Sequence, residues 1–252
     1  MRIAGYLSCL TLCILSMVGC AAQQKLHGPW PKEIVTSGDW GEAEEAIDPL
    51  IPPYDPTTGA GTADQIKARF RGRDRKLAKT TITNAPMEGQ VTVVHLIDSL
   101  VDDDDMRSLD PPIEKDSDSD RVDEERRSVK IEAWIYAIKY EEDQDWHLIV
   151  GTDPNDSPRT YFNCEVSGLP AKTAKDYQAL LKARQSLASI LHNDLPQPGG
   201  SYTKYPTPIP VLIEGSLFFD IDHAAGVVGP EGKRPKTAWE IHPITKIKLG
   251  SL

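Results

Sequence analysis

The chain has 252 residues, a formal net charge of −10, an apolar content of 39% and 20 prolines. The acidic balance argues against a general nucleic-acid binder, which needs a basic face. Low apolar content with many prolines argues against a chain packed throughout, and points to one modest domain carrying long non-globular extensions.

The N-terminus reads as an export signal. Arg2 precedes an apolar run over residues 6–18, too short to span a bilayer comfortably, and then come Gly19, Cys20, Ala21 and Ala22. A basic start, a short apolar region and a small residue before the cut are the parts of a cleavable signal, here residues 1–19. The run MVGC resembles the lipobox of bacterial lipoproteins, with Met17 where leucine is commonest. That resemblance implies lipidation of Cys20 by acyl chains such as palmitate. It also implies anchorage to a lipid bilayer of the bacterial cell envelope, with Ala21 favouring the outer membrane over the inner. The plainer alternative is an ordinary signal peptide or a retained anchor. Cys9 and Cys13 would leave with the signal, so Cys164 stands alone and no intrachain disulfide can form in the mature chain. A lone cysteine reads first as a small buried hydrophobe.

Residues 20–61 read as a tether, with proline pairs and no sustained periodicity. Residues 62–80 read as a short helix. Thr62 and Gln65 make a capping-box pattern, Ile66, Phe70, Arg73 and Leu77 share a face, and Lys67, Arg69, Arg71, Arg73, Arg75, Lys76 and Lys79 make it strongly basic. Contact with anionic headgroups is one reading, and a solvated helix that offsets the acidic body is the other. Residues 82–101 read as the first strand, with His95 as a core or rim histidine. Residues 102–127 hold twelve acidic and five basic residues and read as a disordered, solvated loop. The DSDSD run within it lacks the glycine and closing glutamate of a calcium loop.

Residues 129–140 and 146–152 form a strand pair around a polar turn. In the second strand Trp146, Leu148 and Val150 face one way, and His147, Ile149 and Gly151 the other. A short strand over 161–166 and an amphipathic helix over 173–193 follow, the helix with an apolar stripe from Tyr177 to Leu191. Residues 194–208 read as a Pro/Gly loop. Val211, Ile213, Gly215, Leu217, Phe219 and Ile221 then share one face of a long strand, with Glu214, Ser216, Phe218 and Asp220 on the other. The final strand covers 237–249, and its apolar parity slips near Pro243, where a bulge is expected.

The expected class is mainly β with one helix (α+β), within a domain over 82–252. The order strand, strand, strand, helix, strand, strand is that of an OB-fold, a five-stranded partly open barrel, and Gly215 suits the bend that such a barrel requires. The blocks GSLFFDIDH and TAWEIHPITKI resemble a group of exported bacterial proteins that end in FFDxxH followed by WEIHP. The likeness covers about residues 129–250 and implies a domain boundary and a candidate site, without implying a reaction.

His147, Asp220, His223, Glu240 and His242 are the candidate polar or metal-binding residues. Two histidines with carboxylates suit zinc or another divalent metal with an open position for water, which would make a metal-dependent hydrolase. The plain alternative is a buried polar network that needs no cofactor. Lys233, Arg234, Lys236 and Trp239 mark a possible ligand-binding loop. The leading functional expectation is a binding or structural module of the envelope, with a glycan or protein partner and no nucleic acid. No catalytic residue is assigned, and Ser216 and Cys164 lack the setting of an activated nucleophile.

Overall fold

In a computed structural model the described residues are 74–250, apart from 142, 193–194, 197–199 and 224. The expected signal peptide, Cys20, the expected tether and most of the expected basic helix lie outside them. The described part is mainly β with few helices, and five of its strands pair in a ring.

β2 (Ser128–Tyr140), β3 (Trp146–Gly151) and β4 (Tyr161–Val166) form an antiparallel meander. β5 (Thr203–Phe219) lies antiparallel to β2, and β6 (Trp239–Leu249) lies antiparallel to β5. A short parallel pairing of β6 with β4, Asn163 opposite Glu240 and Cys164 opposite Ile241, completes the circuit β2–β3–β4–β6–β5–β2. Alternation sets which side chains enter the ring. Leu148, Val150, Phe162, Cys164, Val211, Ile213, Leu217, Phe219, Trp239 and Ile241 join one buried cluster, while Asn163, Glu165, Glu240 and His242 take the opposite parity. The expected slip in β6 is present, because Gly215 pairs with Ile244 but Leu217 with Ile241. A methyl on Gly215 would meet the Pro243 carbonyl at 2.5 Å, so this position has no room for a side chain.

The helix between β4 and β5, α4 (Tyr177–Ile190), starts four residues later than its pattern indicates. Asp176 makes no side-chain cap bond and instead accepts from the Ile82 amide at 3.0 Å. Ala183 and Leu187 join the ring's core. Arg184 of the same helix lies buried over the Trp146 ring at 4.0 Å and donates to Gln144 O, Val166 O and Ser167 O. It thereby ties the turn before β3 to the end of β4.

Three expectations need correction. Residues 82–101 are not one strand: β1 (Met87–Thr92) pairs parallel to β2, and the chain then turns into helix α2 (Val93–Asp98). The Thr92 hydroxyl accepts from the His95 amide, and Val93 and Leu96 are buried at helical spacing, so His95 is exposed. Apolar residues at every step fit either period, and here the cap decides. The 194–208 loop is also shorter than expected, because β5 begins at Thr203. Pro206, Pro208 and Pro210 share one parity and precede Val211, where pairing with β6 starts.

The third correction concerns residues 102–127, which are pinned to the domain at buried points while most of their acidic side chains stay exposed. Asp103, in α3 (Asp103–Arg107), accepts from Thr237 Oγ1 and the Ala238 amide. Arg121 is buried and donates to the carbonyls of Leu217, Ala78 and His242. Burial and nearby cations pull its guanidinium down to about 10, with Glu125 opposing. Arg75, just ahead of α1 (Lys76–Thr80), forms a bidentate pair with Glu125 at 2.7 and 2.6 Å, and both side chains are out of solvent. Arg75 therefore turns inward instead of facing a membrane.

Candidate functional site

The outward faces of β3, β4 and β6 carry polar groups, and those groups are nonetheless buried. β4 contributes Asn163 and Glu165, and β6 contributes Glu240 and His242. Each is a polar pair two residues apart, so both members lie on one face. The parallel pairing of Asn163 with Glu240 sets the two pairs side by side. His147 adds to them from β3, and Asp145 from the turn just before it.

The contacts form a chain. His147 Nδ1 is 3.1 Å from Glu165 Oε1, and His242 Nδ1 is 3.2 Å from Glu165 Oε2 and 3.3 Å from Glu240 Oε1. Asn163 Nδ2 donates to Glu240 Oε2. His242 Nε2 stands 3.4 Å from Asp145 Oδ2, and Asp145 Oδ1 accepts from the Gly168 amide. Among the described residues Asp145 Oδ2, His242 Nε2 and His147 Nε2 have no hydrogen-bond partner.

Above this floor lies a cleft of about 770 Å3. Its walls are His147 and Glu165 from the strands, Glu141 and Asp143 from the β2–β3 turn, and Tyr202 just before β5. Asp220, His223, Val227, Val228 and Gly229 from the β5–β6 loop, with Lys79 from α1, complete it. At the mouth His223 Nδ1 pairs with Asp220 Oδ2 at 2.7 Å.

Electrostatics separate these groups into two classes. Burial, reinforced by the Glu240 and Asp145 carboxylates, pushes Glu165 well above the usual carboxylate range. Burial and Asp145 together raise Asp143 to about 6. Burial would raise Asp145 as well, but His242, Lys76, Lys79 and the Gly168 amide outweigh it and hold Asp145 below its ordinary value. Burial, with His223 adding to it, takes His147 down to about 3, so this imidazole is neutral across the physiological range. Burial also opposes ionisation of Asp220, but the His223 hydrogen bond and the Lys79 charge hold it low, and the same hydrogen bond raises His223. An acid held protonated beside one held ionised can donate and accept protons, or share a cation.

Of the residues expected from the pattern, His147, Glu240 and His242 come together through Glu165, and Asp220 with His223 forms a separate pair at the rim. Trp239 is not available to a ligand. Its ring packs edge-on against Phe219, and its indole N–H donates to Val101 O at 2.8 Å. Lys233 lies half-buried near the Tyr136 ring, while Arg234 and Lys236 are exposed and outside the cleft lining. Asp145, Glu165 and Asn163 escape the sequence reading. Their signal is the polar–apolar–polar triplet at 163–165, the partner of the one at 240–242 once the two strands are set parallel. Cys164 is buried, and burial raises its thiol well above its ordinary value, which leaves it unreactive. No protein-family model matches the chain, and no curated protein matches it.

Proposed function

We propose that the ring is a partly open barrel of the OB type, and that the chain is an envelope lipoprotein, anchored at Cys20, whose barrel binds an oligosaccharide. One observation carries the binding half of this reading: the location of the cleft. In OB-folds oligomers bind across the second and third strands, between the loops joining strands one to two and four to five. Counted around the ring, those elements are β3, β4, the 141–145 turn and the 220–238 loop, and these line the cleft. The lining chemistry selects among oligomers. Asp74, Glu141, Asp220 and Asp222 outnumber Lys79 and Lys139, which repels a phosphate backbone and suits the hydroxyls or amines of a sugar chain. Tyr202 supplies aromatic surface beside those acceptors.

The rival reading, a metal-dependent hydrolase built on Asp220, His223, Glu240 and His242, requires those four to act together. Their contacts divide them into a rim pair and a floor pair.

Binding is tested by calorimetry of the full-length chain in detergent against neutral and amino-sugar oligosaccharides and against single-stranded DNA. Saturable sugar binding that weakens several-fold in Tyr202→Ala and Glu141→Ala supports the reading. Absence of sugar binding, or tighter binding of DNA, refutes it.

A further inference from the structure

The floor of the cleft is organised as a metal centre. We propose that Asp145, Glu165 and His242 bind a first-row divalent cation, of the zinc or manganese type, with Glu240 and Asn163 as the groups that orient His242. One ligand atom from each of the three lies within 4.8 Å of the other two, and all three side chains are buried.

The geometry between His242 and Asp145 separates an ion site from an ordinary ion pair. A charge-assisted N–H···O bond closes to about 2.7–2.9 Å. Here Nε2 and Oδ2 face each other at 3.4 Å, both out of solvent and both without a hydrogen bond among the described residues. Two ligands each about 2.0–2.1 Å from a tetrahedral zinc stand about 3.4 Å apart. Two orphaned buried atoms at that separation, one a carboxylate oxygen and one an imidazole nitrogen, are what a shared cation would relieve.

The second observation is on the far side of the imidazole. Metal-bound histidines donate their other ring N–H to a carboxylate, which fixes tautomer and ring orientation. His242 Nδ1 lies 3.3 Å from Glu240 Oε1 and 3.2 Å from Glu165 Oε2, and Glu240 is itself held by Asn163. Charge points the same way. Asp145, Glu165 and Glu240 are buried together, and burying several carboxylates is costly unless cations compensate them. Lys76 and Lys79 are the lysines whose charge reaches Asp145, fewer than the three carboxylates buried there. Two carboxylates and one imidazole suit zinc, manganese or ferrous iron better than calcium, which takes six to eight oxygens. Glu165 opens onto the cleft and gives the ion its way in.

The inference does not rest on the sugar-binding reading, and the two fail separately. The full-length chain is stripped with chelator, dialysed, and titrated with zinc and with manganese, with metal content and thermal unfolding measured together. One ion per chain and a rise in Tm are expected. Glu165→Gln and Asp145→Asn keep shape and hydrogen-bond capacity and should weaken uptake at least about tenfold. Asp220→Asn with His223→Gln, altering the rim pair only, should leave uptake unchanged. If Asp145→Asn fails to fold, Glu165→Gln alone decides. No uptake and no Tm shift at millimolar metal, uptake indifferent to Glu165→Gln, or uptake abolished by the rim variant would each overturn the proposal.

Discussion

Replacing Glu125 with alanine removes the anion from a pair with no solvent to fall back on. Glu125 Oε1 accepts from Arg75 Nη1 at 2.7 Å and the Phe219 amide at 2.8 Å, while Oε2 accepts from Arg75 Nη2 at 2.6 Å and the Val122 amide at 2.9 Å. After truncation Arg75 keeps only its bonds to Asp120 O and Phe219 O and its place over the Phe218 ring. Two buried amides lose their acceptors as well. Removing one partner of a buried ion pair costs about 3–5 kcal/mol, because the remaining charge is left uncompensated. A change of that size is several times the roughly 0.5 kcal/mol expected at an exposed site. With a urea m-value of about 2 kcal/mol/M, the unfolding midpoint should fall by about 2 M, or the domain should unfold outright. Glu125→Gln, which preserves shape and one of the two amide bonds, should cost less. The double change Arg75→Met with Glu125→Leu should recover only part of the loss: an apolar pair of similar volume spares both charges their desolvation, but the Val122 and Phe219 amides stay without acceptors. A loss below about 1 kcal/mol in Glu125→Ala would mean a screened surface pair, and the buried anchoring of residues 102–127 would then fail.

Three further outcomes are expected. Gly215→Ala should destabilise by about 1–3 kcal/mol or more, because its methyl would collide with backbone at the β6 bulge; chemical denaturation measures it, and a neutral result would refute the close packing there. Cys20→Ser should leave the precursor uncut and free of acyl label in cells fed a tagged fatty acid, whereas continued labelling would end the lipoprotein reading. The Asp220–His223 pair should shape stability with pH. Asp220 is held below its unfolded value, so its contribution is whole above about pH 4 and is lost as pH falls further. His223 is held above its unfolded value, so its contribution is whole below about pH 6.5 and is lost as pH rises through its raised value. His223 is 46% exposed, so solvent screening keeps the effect under about 1 kcal/mol. His223→Gln should abolish the alkaline part of that dependence in urea midpoints measured across the range, and superimposable profiles would count against the pair.

The five ring strands are legible in the sequence because each is a run of apolar and β-branched residues bounded by turns. Residues 82–101 mislead because Val91, Val93, Val94, Leu96 and Ile97 satisfy both periods, and a single threonine hydroxyl settles the outcome. The acidic segment misleads because its charges are compensated at a distance. Glu125 meets an arginine fifty residues away and Asp103 meets Thr237, and no local pattern encodes either encounter. The site divides similarly. His242 and Glu240 are conspicuous as polar residues in an apolar strand. Glu165 has the same signature in a strand of six residues, too short for the pattern to stand out. Asp145 sits in a turn, where an aspartate is ordinary.

The parallel seam between β4 and β6 also has a consequence for how the chain becomes active. Asn163 and Glu240 are 77 residues apart, and the pairing that joins them is two residues long. Closing so long a segment through two paired residues returns few bonds for its loop entropy, unlike the ten-residue pairing of β2 with β5, so the seam forms late. The meander β2–β3–β4 and the β2–β5 pairing can assemble first, leaving Asp145 and Glu165 without His242 until β6 docks. The binding floor is thus a product of ring closure, and a chain stopped short of Trp239 would retain a nearly complete sheet with no site in it. The cluster of charge that is costliest to bury is therefore brought together only at the final step, when the surrounding core is already in place to hold it.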